Sequence, residues 1–395
     1  MPRSPQFRPR PVAAMTLTLA CASMAAADVK LITLPIRERV EIQLDHANVT
    51  LVEEERFVPL VAGVNDVVFA WANTSIDKDS IQFRCLTDTE SINVLSVSYP
   101  PGQNSLTWQV ASPEATSARV RISYAIGQLD KAYSYRAVAT NDESSLRLEQ
   151  YVQLHNRANE TFGIAGMWTG FGERIERPIG INETKRLLAG RFDGVEVRKT
   201  YTAELAVSGF IEPARQLVRV PMHYTLHNHE DAGLGSWPLM PGKVRIFQDD
   251  GHGTVAFLGE DWAGYTPRDD HMRLYVGVAK DIEVKRTIAK NESTRVFGQL
   301  RDYDVVIKYE IENFKDREVV LDLAEHPAFI RNEIRGDTGR PVQWEIGDNG
   351  TLREPVADES SNARVLFRVT LPPRGADQKA VKVVQTLHIR IRNEW

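Results

Sequence analysis

The stretch DYDVVIKYEIENFKDREVVLDL, residues 302–323, decides the fold class of this 395-residue chain. Apolar side chains recur at every second position from Tyr303 to Ile311 and again from Val319 to Leu323, and most of the positions between them are charged. When apolar residues alternate with a period of two, one row of side chains faces a core and the other faces water, as in antiparallel sheets. Residues 313–317 are mostly polar, so the stretch predicts a β-hairpin with a loop of about five residues.

The same alternation recurs along the rest of the chain, including Val244 and Ile246, Val255 and Phe257, and Leu387, Ile389 and Ile391. Helical signals are few: residues 182–189 (NETKRLLA), followed by Gly190, have a capping residue, a short body and a C-terminal glycine. Strands at short spacing with glycine and proline turns indicate β-sandwiches. We therefore predict an all-β protein, with two or three antiparallel β-sandwich domains in tandem and few short helices.

A domain boundary is predicted near residue 128. An alternating strand from Val120 to Ile126 ends at Gly127, and a new series of strands begins at Lys131. About 100 residues match one sandwich, whereas the remainder is long for one. The sequence therefore predicts an N-terminal β-sandwich domain over 28–128 and a larger C-terminal β-domain over 129–395, with an insertion near 165–200.

Residues 1–27 have the pattern of a secretory signal peptide. Arg3, Arg8 and Arg10 form a positive region without acids, an apolar stretch follows, and small residues precede Asp28. No other stretch approaches about 18 apolar residues, so no transmembrane segment is predicted after cleavage. The mature protein is expected to be exported, to the periplasm or outside the cell.

The two cysteines predict neither a disulfide nor a lipid anchor. A lipid anchor on Cys21 is disfavoured because Thr18 stands where a lipoprotein signal carries leucine. Cleavage of the leader leaves only Cys85, which excludes an intramolecular disulfide. Cys85 follows Ile81 and Phe83 at period two, so we expect a small buried residue, and a reactive thiol is the alternative.

Composition and motifs exclude several classes of function. With 42% hydrophobic and 26% charged residues, the chain is typical of folded proteins, and its net charge of −5 offers no basic field for nucleic acid. There is no G-x-S-x-G, H-E-x-x-H, P-loop or dinucleotide fingerprint. Acid pairs such as Asp249-Asp250 and Asp269-Asp270 are expected to cap turns, and residues 53–56 (EEER) are expected to form a solvated edge or turn.

The stretch MHYTLHNHED, residues 222–231, is the one candidate metal site. Strand geometry places His223, His227 and His229 on one face, and His227-x-His229 is a spacing that strand-borne zinc sites use. His223 would lie roughly 13 Å from His227, so it could not join the same ion without a bend. Glu230, Asp231, His252 and His271 are candidate third ligands by residue type only.

A purely structural interpretation of this stretch is the alternative. Met222, Tyr224 and Leu226 would then face the core, the histidines would face solvent, and residues 227–233 would form a polar turn. The structural interpretation is favoured, so no cofactor is predicted, and zinc at His227 and His229 remains the alternative. Several tryptophans could form a sugar-binding platform or pack in the core, and packing is the commoner fate: Trp71, Trp108, Trp168, Trp237 and Trp262.

Four stretches together resemble the mucoidy inhibitor A-like family of exported bacterial proteins. Residues 62–85 (AGVNDVVFAWANTSIDKDSIQFRC) are similar to its N-terminal β-domain, and residues 131–162 (KAYSYRAVATNDESSLRLEQYVQLHNRANETF) to the start of its C-terminal domain. Residues 242–286 and 309–326 resemble its middle and its late hairpin. The coiled coil that relatives often carry between the domains is missing here. The resemblance implies an exported, all-β, envelope-associated protein and supplies no catalytic residues.

Three hypotheses for the function follow. The first is a non-enzymatic binding or structural module of the cell envelope that acts on an envelope protein or a surface polysaccharide. The second is a metal-dependent hydrolase that uses His227 and His229. The third is a carbohydrate-binding module, which requires exposed tryptophans side by side.

Overall fold

A computed structural model describes residues 30–46, 49–71, 74–87, 90–127, 129–172, 174–209, 211–212, 214–347, 350–375 and 379–395. The predicted signal peptide and Cys21 lie outside the described residues. Strands dominate, and the α-helices are short, which confirms the predicted all-β class with few short helices. None of the described helices is long and apolar enough to cross a membrane.

The described strands and helices are, in chain order, β1 (Lys30–Thr33), β2 (Arg39–Gln43), β3 (Thr50–Leu60), β4 (Gly63–Ala70), β5 (Gln82–Cys85), β6 (Asn93–Ser98), β7 (Ser105–Ser112), β8 (Thr116–Ile126), β9 (Leu129–Ala139), β10 (Ser145–Asn156), β11 (Phe162–Trp168), β12 (Ile175–Ile179), β13 (Thr184–Glu196), β14 (Arg198–Glu204), α1 (Leu205–Ser208), β15 (Ile211–Glu212), β16 (Leu217–Val218), β17 (Pro221–His227), β18 (Gly242–Asp249), β19 (Val255–Ala263), β20 (His271–Val278), β21 (Ile282–Phe297), β22 (Leu300–Asn313), β23 (Val319–Glu325), α2 (Pro327–Arg335), β24 (Gln343–Ile346), β25 (Val365–Leu371) and β26 (Val381–Glu394). Short 3-10 turns lie at Lys78–Ser80, Glu230–Ala232 and Ala357–Glu359.

The chain divides into two compact units, and the first comprises the described residues up to Val40 together with Val52–Ala125. Its sheet has the strand order β1-β4-β7-β6, and strands β3, β8 and β5 are neighbours in another sheet. Phe69 of β4 contacts Trp108 of β7 and Tyr124 of β8, with ring centroids 5.9 and 5.7 Å apart. Aromatic packing therefore joins strands of two sheets in this unit.

Buried carboxylates in the first unit correct one prediction. Residues 53–56 were expected to form a solvated edge or turn, but they lie within β3, where Glu54 and Glu55 are buried. Glu55 accepts hydrogen bonds from Arg119 at 2.5 Å and from Arg121 at 2.6 Å. Burial of an acid requires such partners, and they come from β8, which sequence spacing does not reveal.

Cys85 lies at the end of β5. It is buried, and its Sγ lies 2.8 Å from the carbonyl oxygen of Thr87. The predicted burial of this residue is therefore confirmed.

The second unit comprises Glu41–Leu51 and Ile126–Trp395 and contains three large sheets, each named here after one strand. The β9 sheet has the order β13-β10-β9-β18-β19, the β14 sheet β20-β17-β14-β23-β25, and the β22 sheet β15-β16-β21-β22-β26-β24. Most neighbours are antiparallel, but β18 runs parallel to β9 and β23 parallel to β14. Alternation predicts which face of a strand is buried, and it does not predict strand direction.

The inner face of the β14 sheet covers two hydrophobic cores. Tyr224 and Leu226 of β17 pack in a core with the β9 sheet, whereas Tyr201 of β14 and Leu321 of β23 pack in a core with the β22 sheet. Met222 packs against both cores. The outer face of the β14 sheet therefore carries the alternate residues of all five strands, most of them polar.

Residues 302–323 do not form the predicted hairpin. Strand β22 pairs with β21 and β26, whereas β23 pairs with β14 and β25 in a different sheet. The apolar side chains of both strands pack against each other in one core. In the turn between them, the side-chain amide of Asn313 donates to the carbonyls of Arg317 and Pro372, each at 2.9 Å. The predicted alternation is correct, but the turn carries the chain from one sheet to another.

The prediction of a helix at residues 182–189 is also wrong. These residues enter β13, where Leu187 lies opposite Val152 of β10. Pairing along a full strand outweighs a helix propensity of a few tenths of a kcal/mol per residue. The longer helix is α2, whose signals are Pro327 in the first turn and Gly336 at the end.

Candidate functional site

A polar trough runs along the outer face of the β14 sheet. On β17, Tyr224 and Leu226 are buried, and the alternate residues His223, Thr225 and His227 point outward. A cavity of about 360 Å³ lies over His227, His229 and His271, and a neighbouring cavity of about 570 Å³ lies over Arg273 and Asp322. Both cavities are lined by Arg198, Thr225 and His271, so they form one trough.

A row of three residues crosses the floor of this trough. Strand register places Arg198 of β14 opposite Thr225 of β17, and Thr225 opposite Arg273 of β20. Two strand spacings separate the Cα atoms of the arginines, about 10 Å. The row presents a hydroxyl group flanked by two guanidinium groups.

Neither arginine of the row is neutralised. Among the described residues, no carboxylate oxygen lies within 4.0 Å of a guanidinium nitrogen of Arg198 or Arg273. By contrast, on the same face Arg364 pairs with Glu204 at 3.2 Å and Arg368 with Asp322 at 3.0 Å. The row therefore carries two guanidinium groups without an ion-pair partner among the described residues, whereas the carboxylates of Glu196, Asp231, Asp322 and Glu359 line other parts of the trough.

Arg273 is held by a histidine instead of an acid. Its guanidinium lies 3.1 Å from Nδ1 of His223. Burial and the charge of Arg273 lower the pKa of His223 to about 4, so the imidazole is neutral at pH 7 and its Nδ1 accepts the hydrogen bond. This bond orients Arg273 without cancelling its charge. Two guanidinium groups, one of them oriented by His223, and a hydroxyl group are the kinds of group that bind carboxylate or phosphate.

Three imidazole rings form a stack at one end of the trough. The His227 ring lies parallel to that of His271, with an interplanar angle of 5° and centroids 4.5 Å apart, and within 14° of that of His229, 5.2 Å away. A metal ion lies in the plane of each imidazole that binds it, about 2 Å from the nitrogen. Rings in parallel planes do not direct their lone pairs at one ion.

The surroundings of His229 also favour the structural interpretation. Its Nδ1 accepts a hydrogen bond from the backbone N–H of Asp231 at 3.2 Å and caps the short turn that follows β17. Within the described residues, no group of three histidine, cysteine or acidic side chains is arranged to hold a metal ion. His223 and His227 thus point outward from β17, and His229 lies in the turn that follows the strand.

We expect residues 28–395, purified without a histidine tag, to contain no stoichiometric zinc. The parallel rings at His227, His229 and His271 would have to rotate out of their stack to share an ion. Elemental analysis after dialysis against zinc and then against buffer checks this. A His227→Ala, His229→Ala variant is the control, and one zinc per chain that this variant loses would contradict the expectation.

The tryptophans divide between core and surface. Trp71 and Trp108 are buried, and the Nε1 of Trp237 donates to Gln150 at 3.0 Å. Trp168 is 41% exposed and Trp262 64% exposed, but they lie on β11 and β19, which are not neighbouring strands. The side-by-side pair that a sugar platform requires is not formed by these two residues.

The trough residues Arg198, Thr225 and Arg273 were missed by sequence reasoning. Each occupies an outward position in an alternating strand, which is a signal for exposure and not for function. They become one site only because β14, β17 and β20 are neighbours. No protein-family model matches this chain, and no curated protein matches it either.

Proposed function

We propose that this protein is a non-enzymatic binding module of the cell envelope, and that the trough on its β14 sheet holds the anionic groups of a surface polymer. The observation that carries the proposal is the row Arg198–Thr225–Arg273, in which both guanidinium groups lack an acidic partner among the described residues. An anion placed over Thr225 would receive charge-assisted hydrogen bonds from both sides.

The shape of the trough favours a polymer over a small ligand. Two adjoining cavities of about 360 and 570 Å³ share Arg198, Thr225 and His271 as lining residues, and Arg273 lines the larger one. Five strands at about 4.8 Å give the sheet a width of about 20 Å, which suits an extended chain with repeating charges. Acidic polysaccharides of the cell surface carry carboxylate or phosphate groups in this way.

The location in the envelope rests on the sequence. The pattern of residues 1–27 supports export, and the resemblance to the mucoidy inhibitor A-like family supports association with the envelope. The alternative of a metal-dependent hydrolase at His227 and His229 gains no support from the stacked rings. A binding role is therefore the better-supported proposal.

Exchange of both row arginines for glutamine should abolish most of the affinity for a polyanion. A hydrogen bond to a charged group contributes about 1.5–3 kcal/mol, so the Arg198→Gln, Arg273→Gln variant should bind at least about 100-fold more weakly. Isothermal titration of residues 28–395 with polygalacturonate at low salt measures the change. Glutamine removes the charge but keeps the Cβ, Cγ and Cδ atoms of the arginine side chain and a polar end.

The matched control removes the same charge elsewhere. Arg177 and Arg215 are exposed, and an Arg177→Gln, Arg215→Gln variant has the same net charge as the row variant. We expect this control to bind within about threefold of the wild type. Equal losses in both variants would mean that binding follows net charge, and the proposed site would be wrong.

A further inference from the structure

The long β21–β22 hairpin ends in an exposed apolar tip. Residues 291–299 are all exposed, and at the turn Phe297 is 80% and Val296 54% exposed. Phe297 lies opposite Leu300, and Gly298 between them has φ +58°, a conformation that glycine adopts readily. A tight turn therefore presents a phenylalanine to solvent, where an apolar ring costs free energy.

Cations surround this tip. Arg295 lies directly opposite Arg301 on the paired strand, and like charges in that position repel. Arg295 donates to the carbonyl of Gly298 at 2.6 Å and Arg301 to the hydroxyl of Ser293 at 2.7 Å. Among the described residues, neither has a carboxylate within ion-pair distance. No ion pair among the described residues therefore offsets the repulsion between the two arginines.

A second aromatic residue lies at the same end of the β22 sheet. Arg301 is opposite Glu394 of β26, and the next residue, Trp395, is 58% exposed. The guanidinium of Arg340 lies 5.6 Å from the centroid of the Trp395 ring. Leu300, Arg340 and Trp395 line a cavity of about 610 Å³ beside the tip. Apolar rings and free cations are therefore grouped at one end of this sheet.

The acids at this end are already paired. Asp302 and Glu345 bind Arg392, Asp337 and Glu394 lie within 4 Å of Arg331, and Glu292 binds Lys290. The guanidinium groups at this end that remain without an acidic side-chain partner among the described residues are those of Arg295, Arg301, Arg335 and Arg340. The end of the sheet therefore has a net positive surface around Phe297 and Trp395.

We infer that this end of the β22 sheet docks onto an anionic lipid surface. Phe297 and Val296 would enter the boundary between headgroups and acyl chains, and Trp395 would lie at headgroup level, where tryptophan is enriched. Arg295, Arg301 and Arg340 would contact lipid phosphates, which would relieve the repulsion between the first two. This inference goes beyond the proposed polymer binding and uses a different sheet.

Vesicle sedimentation with residues 28–395 tests the inference. The wild type should sediment with vesicles of phosphatidylcholine and phosphatidylglycerol in a 7:3 ratio, a composition with about one anionic lipid in three, and should remain in solution with pure phosphatidylcholine. Each basic residue near an anionic surface contributes about fivefold in affinity, so Arg295→Gln, Arg301→Gln should bind about 25-fold more weakly. Phe297→Ser should weaken binding at least about tenfold.

Two controls test whether vesicle binding depends on the tip itself. Phe257→Ser removes an exposed aromatic residue from β19, and Arg177→Gln, Arg215→Gln removes two exposed arginines outside the tip. Both should sediment as the wild type does. The inference would be overturned if the wild type bound neither kind of vesicle. It would also be overturned if the control variants lost as much affinity for the anionic vesicles as the tip variants do. Unchanged sedimentation of the tip variants would do the same and would assign the tip to another partner.

Discussion

Replacement of Arg286 by methionine should lower the free energy of unfolding by about 3–5 kcal/mol. Arg286 is buried in the core between the β14 and β22 sheets and donates to Glu325 at 2.6 Å. Its other two nitrogens donate to Glu333 at 3.0 and 2.6 Å. Without the guanidinium, the carboxylate of Glu325 would remain buried beside Tyr309 with no opposite charge, which is costly in a low dielectric.

Urea denaturation followed by tryptophan fluorescence measures the loss. The Arg286→Met, Glu325→Leu double variant should recover much of the stability, because it removes both buried charges. Arg215→Met provides the matched control, since Arg215 forms an exposed pair with Glu283 and should change stability by less than about 1 kcal/mol. If Arg286→Met lowered the free energy of unfolding by no more than the control does, the ion network would not stabilise the core.

Glu143→Ala should destabilise the second unit by about 3 kcal/mol. Glu143 lies between β9 and β10 with φ +61°, and its carboxylate accepts hydrogen bonds from Lys199 and Arg317, both at 2.6 Å, and from the Tyr224 hydroxyl at 2.5 Å. One carboxylate thus joins β14, β17 and the segment between β22 and β23. Its removal leaves the ammonium of Lys199, which is largely buried, without its acidic partner.

The stabilising effect of Glu143 should depend on pH in one direction. Burial alone raises its pKa, but the hydrogen bonds from Lys199 and Tyr224 outweigh burial and hold the pKa below the ordinary value. Its contribution is therefore complete above the ordinary glutamate pKa of about 4.3 and is lost as the pH falls through the lower pKa of the folded state.

Urea titrations of the wild type and Glu143→Ala at pH 7 and at acidic pH measure this difference. The difference in unfolding free energy between the two should shrink at the lower pH. Asp193→Ala is the control, because Asp193 forms an exposed pair with Arg191. An equal difference at both pH values would contradict the role given to the ionised carboxylate.

The faces of the strands could be predicted from the sequence, and the partners of the strands could not. Val305, Ile307 and Ile311 are buried, as the alternation of β22 requires. The next strand along the chain lies in another sheet, because a five-residue turn at Asn313 fits an arch between two sheets as well as a hairpin. Period-two patterns hold no information about which edge of a strand meets which neighbour.

The candidate site shows the same limit. The sequence placed His227 and His229 on one outward strand face; in the structure β17 ends at His227, His229 lies in the turn that follows, and their rings stack. It drew attention to histidines because imidazole is a frequent metal ligand, whereas the guanidinium groups on the trough floor that lack an acidic partner among the described residues are those of Arg198 and Arg273. These residues are 75 positions apart in the sequence and approach each other only through β17.

The most direct test of the central claim is a titration of wild-type residues 28–395 with polygalacturonate, with neutral dextran in parallel. We predict saturable binding of the polyanion that weakens as salt is raised, and no binding of dextran, because the trough recognises charge through two guanidinium groups. A protein that binds neither polymer, or binds both equally, would contradict the assignment of the β14 sheet as an anion-binding face.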